Sequence, residues 1–167
     1  DGSQAGGSLG QRTADAMEAL SNRLIEGLRS APFPVVSAVN GAAAGAGVGV
    51  ALAADVVVAA RSSYFYLPFA PALGLVPDMG CTWFMQRAAG RARSLGLTLL
   101  GERLSAEQAE RWGLVWCCVD DATLAEETRR IATALAAVPA HAVTEARALH
   151  DAAERHTLAE QLDYEKD

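Results

Sequence analysis

The sequence predicts an α/β fold, with a core over residues 1–121 and a helical region over residues 122–167. Two observations carry this. Residues 35–39 and 56–60 are short apolar, β-rich runs on either side of a glycine-rich turn and a run of small apolar residues, the pattern of buried strands joined through a helix. Beyond Met79 the apolar positions fall at helical spacing almost to the end, interrupted by one β-rich run at residues 115–119.

The elements follow in order. Residues 1–10 carry Gly2, Gly6, Gly7 and Gly10 among polar residues and read as a flexible loop, with neither the basic leader nor the apolar run of a signal peptide. Arg12 to Arg29 place Ala16, Leu20, Leu24, Ile25 and Leu28 at helical spacing, and Ala31-Pro-Phe-Pro34 stops that helix. After the strand at 35–39, small residues run from Gly41 to Gly49 and a helix continues through Ala54. Residues 64–67 read as a strand. Pro68, Pro71, Gly74 and Pro77 then predict a loop without regular structure, placed to fold over a ligand. Helices are expected over 79–89 and 92–100. Ser105-Ala-Glu-Gln108 opens another that Gly113 ends, and further helices span 122–137, 140–153 and 157–164, the last opened by Thr157-Leu-Ala-Glu160.

Composition narrows the function. A net charge of −6 and a pI near 5.0 exclude the basic face that a nucleic-acid or anionic-membrane binder needs. The apolar stretch at 35–60 is broken by Asn40, Asp55 and four glycines, so it is no membrane span. Cys81, Cys117 and Cys118 match neither a zinc nor a redox spacing and read as free thiols in a reducing, cytoplasmic setting. The absence of an initial Met and the closing acidic-basic run make the chain read as the central part of a longer one, its N- and C-terminal parts missing.

Two places can carry chemistry. The turn Gly41-Ala-Ala-Ala-Gly45-Ala46-Gly47 lacks bulky side chains, so a ligand can reach backbone N–H groups at a helix start, the geometry of an oxyanion donor. Close helix-on-sheet packing is the competing explanation, while a dinucleotide fingerprint fits poorly because no acidic residue lies about 20 positions on. Asp78 is the second. An aspartate ahead of a helix is commonly a cap, yet it is the only acidic residue from Val56 to Phe84 and follows the proline-rich loop. His141, His150 and His156 sit on polar helices, and no metal site or serine triad can be assembled.

These residues also carry a resemblance. Val35-Val-Ser-Ala-Val-Asn-Gly-Ala-Ala-Ala-Gly-Ala-Gly47 with Asp55-Val-Val-Val-Ala59 resembles the signature of the enoyl-CoA hydratase/isomerase, or crotonase, superfamily. Gly74-Leu-Val-Pro-Asp-Met-Gly-Cys-Thr-Trp83 and the segment from Gly101 to Trp116 are most similar to the isomerases acting on the ring epoxide of phenylacetyl-CoA. The resemblance implies a spiral of repeated ββα units, an acyl-CoA thioester substrate with no separate cofactor, and C-terminal helices that assemble homotrimers or hexamers. It implies that the Ala46 N–H holds the thioester oxygen, and that a second donor lies in a segment before Asp1. Two glutamates of family hydratases fall here on Gly49 and Phe69, whereas the acid of the isomerases falls on Asp78. Cys81 replaces a glycine of that motif, and the segment from Pro68 to Leu73 is one residue longer than in relatives.

One carboxylate suffices for a 1,3-proton shift, while hydration needs a base and an acid. The expectation is therefore an isomerase with Asp78 and Ala46 catalytic. Gly45, Gly49, Phe69 and Trp83 are expected around the substrate, and the loss of two glutamates is expected to widen the pocket. A hydratase completed by a segment outside the chain, or a CoA-binding paralogue without turnover, remain the rival readings.

Overall fold

A computed structural model describes residues 17–166 together with Ser8, Gln11, Arg12 and Asp15. The flexible loop expected over residues 1–10 and parts of the helix expected from Arg12 lie outside the described residues. From Met17 to Asn22 the chain is a π-helical stretch that passes into α1, Arg23–Arg29. Leu20 and Leu24 of its expected apolar stripe face solvent, while Ile25 and Leu28 pack on the core.

The core is built from two successive strand-strand-helix units. The first is β1 (Val36–Val39), β2 (Ala42–Ala44) and α2 (Ala46–Leu52); the second is β3 (Val56–Ala60), β4 (Tyr64–Tyr66) and α3 (Cys81–Ala89). The first strands of the units pair in parallel, Val36 opposite Val56, and the second strands pair in parallel, Ala42 opposite Tyr64. Then come α4 (Arg91–Leu100), β5 (Arg103–Ser105), α5 (Ala106–Arg111) and β6 (Cys117–Val119). β6 extends the first sheet to the order β1-β3-β6, and β5 closes the second as β2-β4-β5, antiparallel to β4.

β3 is the central strand and is covered on both faces, which is why it reads as an uninterrupted apolar run. Val57 and Ala59 enter the main core with Leu52, Phe65, Phe84 and Met85, while Val58 and Ala60 face Leu124 and Ile131 of α6 (Leu124–Ala136). The chain ends in α7 (Ala140–Ala153) and α8 (Leu158–Tyr164). Among the described residues no helix is long and apolar enough to cross a membrane.

Three local differences from the sequence reading have physical causes. Ala42–Ala44 is a strand rather than turn, because pairing with Tyr64–Tyr66 overrides the poor β-propensity of alanine. Arg103–Ser105 pairs for the same reason, with Leu104 buried opposite Phe65. Phe69–Leu73 is a π turn rather than irregular loop, closed by Gly74 in the left-handed region at φ 64°. A wide turn of this kind takes up one residue more than an α turn. It docks where Gly101 ends α4: a Cβ there would lie 2.4 Å from Pro71 Cγ.

Candidate active site

The site begins at the carboxyl ends of the parallel strands β2 and β4. The Gly45 N–H donates to the Tyr66 carbonyl (2.8 Å), extending that ladder by one rung. The chain then breaks away with Gly45 at φ 55°, ψ −126°, a conformation open to glycine. Val48 N–H folds back onto the Gly45 carbonyl (3.0 Å) and starts α2. Between them the N–H groups of Ala46 and Gly47 have no acceptor among the described residues, and Ala46 is exposed. Phe69, three residues beyond β4, lies over the same turn, its Cζ 3.7 Å from where a Gly45 Cβ would stand.

Asp78 arrives from the loop that follows the π turn. It is half-buried, and its Oδ1 is shielded from solvent without a hydrogen-bond partner. The carboxylate does not cap α3. Gly80, at φ 72°, occupies the N-cap position with no side-chain bond, and the Cys81 N–H donates to the Asp78 main-chain carbonyl (3.0 Å). A buried acceptor left unpaired costs about 1–3 kcal/mol, so nothing in the folding of this helix start explains the carboxylate.

Next to it, Met79 holds φ 52°, the only positive value outside glycine among the described residues. A side chain there costs roughly 1–2 kcal/mol, and such strain concentrates at functional sites. It turns the Met79 carbonyl onto α2, where a Cβ on Gly49 would stand 2.1 Å from that oxygen. Cys81, fully buried, closes the contact: its Sγ lies 3.7 Å from the Gly45 carbonyl oxygen. Burial pushes the thiol up to about 11, the Gly49 N–H opposes that shift, and the nearby Asp78 charge adds to it. The thiol is therefore protonated at neutral pH.

The structure thus gathers Gly45, Ala46, Gly49, Phe69 and the Asp78 segment into one place, and it corrects one expectation. Gly49 does not widen the pocket. The Met79 backbone fills the space that a side chain would need, so Gly49 serves close approach of two segments. Trp83 lines a cavity of about 320 Å³ together with Met79 and Gly80, the two residues that follow Asp78, but not with Ala46 or Phe69. Two residues along a helix are rotated by about 200°, so with Cys81 facing the turn, Trp83 faces the other way. There the Arg87 guanidinium stacks 3.8 Å from its ring centroid, and both line a cleft of about 720 Å³ with Arg29, Asp55, Arg147 and Asp151. None of Gly45, Ala46, Phe69 and Asp78 lines that cleft.

Asp55, part of the recognisable motif, is a brace. Its carboxylate accepts from Arg147 Nε (2.7 Å) and Nη2 (2.6 Å) and from the Val35 N–H (2.7 Å), tying α7 to the start of β1. Sequence reasoning missed Met79 and Arg147. A left-handed methionine has no local signature, and a partner 92 positions from Asp55 is visible only in the fold.

Residues 4–167 match the enoyl-CoA hydratase/isomerase family. The chain belongs to that family. Among its curated members, the 1,2-epoxyphenylacetyl-CoA isomerase of Escherichia coli K12 is 48% identical over 152 residues, covering 91% of this chain and 58% of the relative. An enoyl-CoA hydratase from Polaromonas sp. JS666 superposes with a TM-score of 0.81 at 36% identity, covering 98% of this chain and 66% of that structure. An enoyl-CoA hydratase from Bacillus anthracis gives 0.83 at 32% identity, covering 97% and 62%. The crotonase fold is therefore shared. The chain spans little more than half the length of the curated family member described above.

Proposed function

We propose that this chain carries the reacting part of an acyl-CoA isomerase. The observation behind the proposal is the buried, unpaired Oδ1 of Asp78 at a strained turn packed against Gly45–Gly49. In this reading the Ala46 N–H receives the thioester oxygen. Asp78 removes a proton from the carbon next to the thioester of a 3-enoyl-CoA, and the negative charge passes to that oxygen. Return of the proton to Cγ gives the conjugated 2-enoyl-CoA, so one carboxylate serves both transfers. The N–H strengthens its bond as the oxyanion develops, an effect worth about 3–4 kcal/mol per pre-oriented donor.

Two features support isomerisation over water addition. No side chain fits at Gly49, one of the positions where hydratases are expected to carry glutamate, and the other is the aromatic ring of Phe69. The name of the Escherichia coli relative suggests an aromatic acyl group, and a ring epoxide opening next to a thioester enolate would use the same donor and base.

Asp78→Asn keeps the shape and removes the base. In the intact protein we expect acyl-CoA binding to persist and isomerisation of a 3-enoyl-CoA to fall by roughly 10²-fold, the scale for a lost general base. Unchanged turnover in that variant, or water addition to a 2-enoyl-CoA faster than isomerisation, would overturn the proposal. Self-association as a trimer or a pair of trimers belongs to the same reading. It is supported by the exposed Leu158, Leu162 and Tyr164 of α8, and light scattering showing a stable monomer at micromolar concentration would remove it.

A further inference from the structure

The Gly45 carbonyl and the Ala46 N–H are the two ends of one peptide group. The carbonyl end has two partners, the Val48 N–H at 3.0 Å and the Cys81 thiol at 3.7 Å, while the N–H end has none among the described residues. A peptide whose carbonyl accepts hydrogen bonds is polarised, and its N–H becomes a stronger donor. The thiol also supplies a geometric restraint. The Cys81 sulfur sits against both the Gly45 carbonyl and the Gly49 N–H at the first turn of α2. Val48 and Cys81 both hold the plane of the Gly45–Ala46 peptide from its carbonyl side.

We infer that Cys81 is a positioning residue: its S–H, bonded to the Gly45 carbonyl, orients and polarises the peptide whose Ala46 N–H faces the substrate. The inference rests on the oxyanion reading above. Cys81 is 0% exposed and touches no substrate itself, so its influence passes through that peptide. Burial keeps the thiol protonated, which preserves its role as a donor through the neutral range. Asp78 lies close enough to affect the same thiol, so Cys81 links the two halves of the site: its main-chain N–H anchors the Asp78 carbonyl and its side chain anchors Gly45.

The test compares the intact wild-type protein with Cys81→Ser and Cys81→Ala, with Cys81→Gly as a second variant lacking the donor should alanine prevent folding. Phenylacetyl-CoA labelled with carbon-13 at the thioester carbonyl is the infrared probe, because it cannot undergo the double-bond shift and its carbonyl stretch moves to lower frequency as the donors strengthen. Wild type and Cys81→Ser should show the same red shift, and Cys81→Ala or Cys81→Gly a smaller one. In parallel, kcat for 3-enoyl-CoA isomerisation should fall on the order of three- to ten-fold in the donor-less variants, the scale of one hydrogen bond, with KM nearly unchanged and serine restoring the rate. A red shift equal in all variants would overturn the role of Cys81 and leave the oxyanion reading intact. So would a rate that follows thermal stability rather than the presence of a donor. No red shift in the wild type would overturn the oxyanion reading itself, and the inference with it.

Discussion

The helix starts at α3 and α8 solve the same problem in opposite ways. At α8 the Thr157 side chain accepts from the Glu160 N–H, and the Glu160 carboxylate accepts from the Thr157 N–H, so the orphan donors are met within the segment. At α3 an aspartate is close to the helix start and makes no cap bond, two consecutive residues hold positive φ, and a carboxylate oxygen is buried unpaired. The contrast separates an acid satisfied within its own helix start from one that the fold leaves without a protein partner. Local satisfaction stabilises the first, and the surrounding packing holds the second in a conformation it would not adopt alone.

The largest effect expected from breaking that contrast comes at Asp78 itself. Asp78→Asn should cost about 10²-fold in turnover and leave the melting temperature nearly unchanged, because no cap bond is lost. A drop in thermal stability with full activity would make it a cap like Thr157.

Next is Gly49→Ala. Its Cβ would collide with the Met79 main chain, which cannot swing aside like a flexible side-chain tip. Overpacking of this kind costs about 1–3 kcal/mol and should also displace Asp78, so denaturant unfolding and turnover should fall together. Wild-type stability in this variant would show that the two segments are not in contact.

The Asp55–Arg147 brace gives a pH dependence. Burial alone would raise the Asp55 carboxyl, but the Arg147 guanidinium and the Val35 N–H outweigh it and leave the pKa below the ordinary 3.8. The folded carboxyl thus binds its proton less readily than the unfolded one. Its stabilisation is complete above the ordinary value and disappears as pH falls through the lower folded value. Asp55→Asn should cost about 1.5–3 kcal/mol at neutral pH, with the difference from wild type shrinking as pH falls below the ordinary 3.8, as thermal melts across the acid range can measure.

The smallest effect belongs to the conventional cap. Thr157→Ala should cost about 1 kcal/mol and leave turnover of the intact protein unchanged, read from melting curves and from the rate of 3-enoyl-CoA isomerisation.

The sequence by itself determined the elements whose reasons are local. The apolar run of β3, the helix at 140–153, the serine that starts α5 and the capping box of α8 depend on side-chain period and near neighbours, and they stand where the pattern puts them. It also singled out the turn from Gly41 to Gly47 and Asp78, because a bare glycine-rich turn and an isolated carboxylate are conspicuous in one dimension, while Ala46 within that turn came from the family resemblance. Only the tertiary structure decided which groups meet there. The strand at Ala42–Ala44 exists because Tyr64–Tyr66 runs beside it, and the left-handed Met79 persists because Gly49 leaves room for its carbonyl. Trp83 faces away from the Gly45 turn because helix geometry sends Cys81 toward it. The energies that fix these choices arise between residues distant in the chain, and a sequence pattern confined to neighbours carries no record of them.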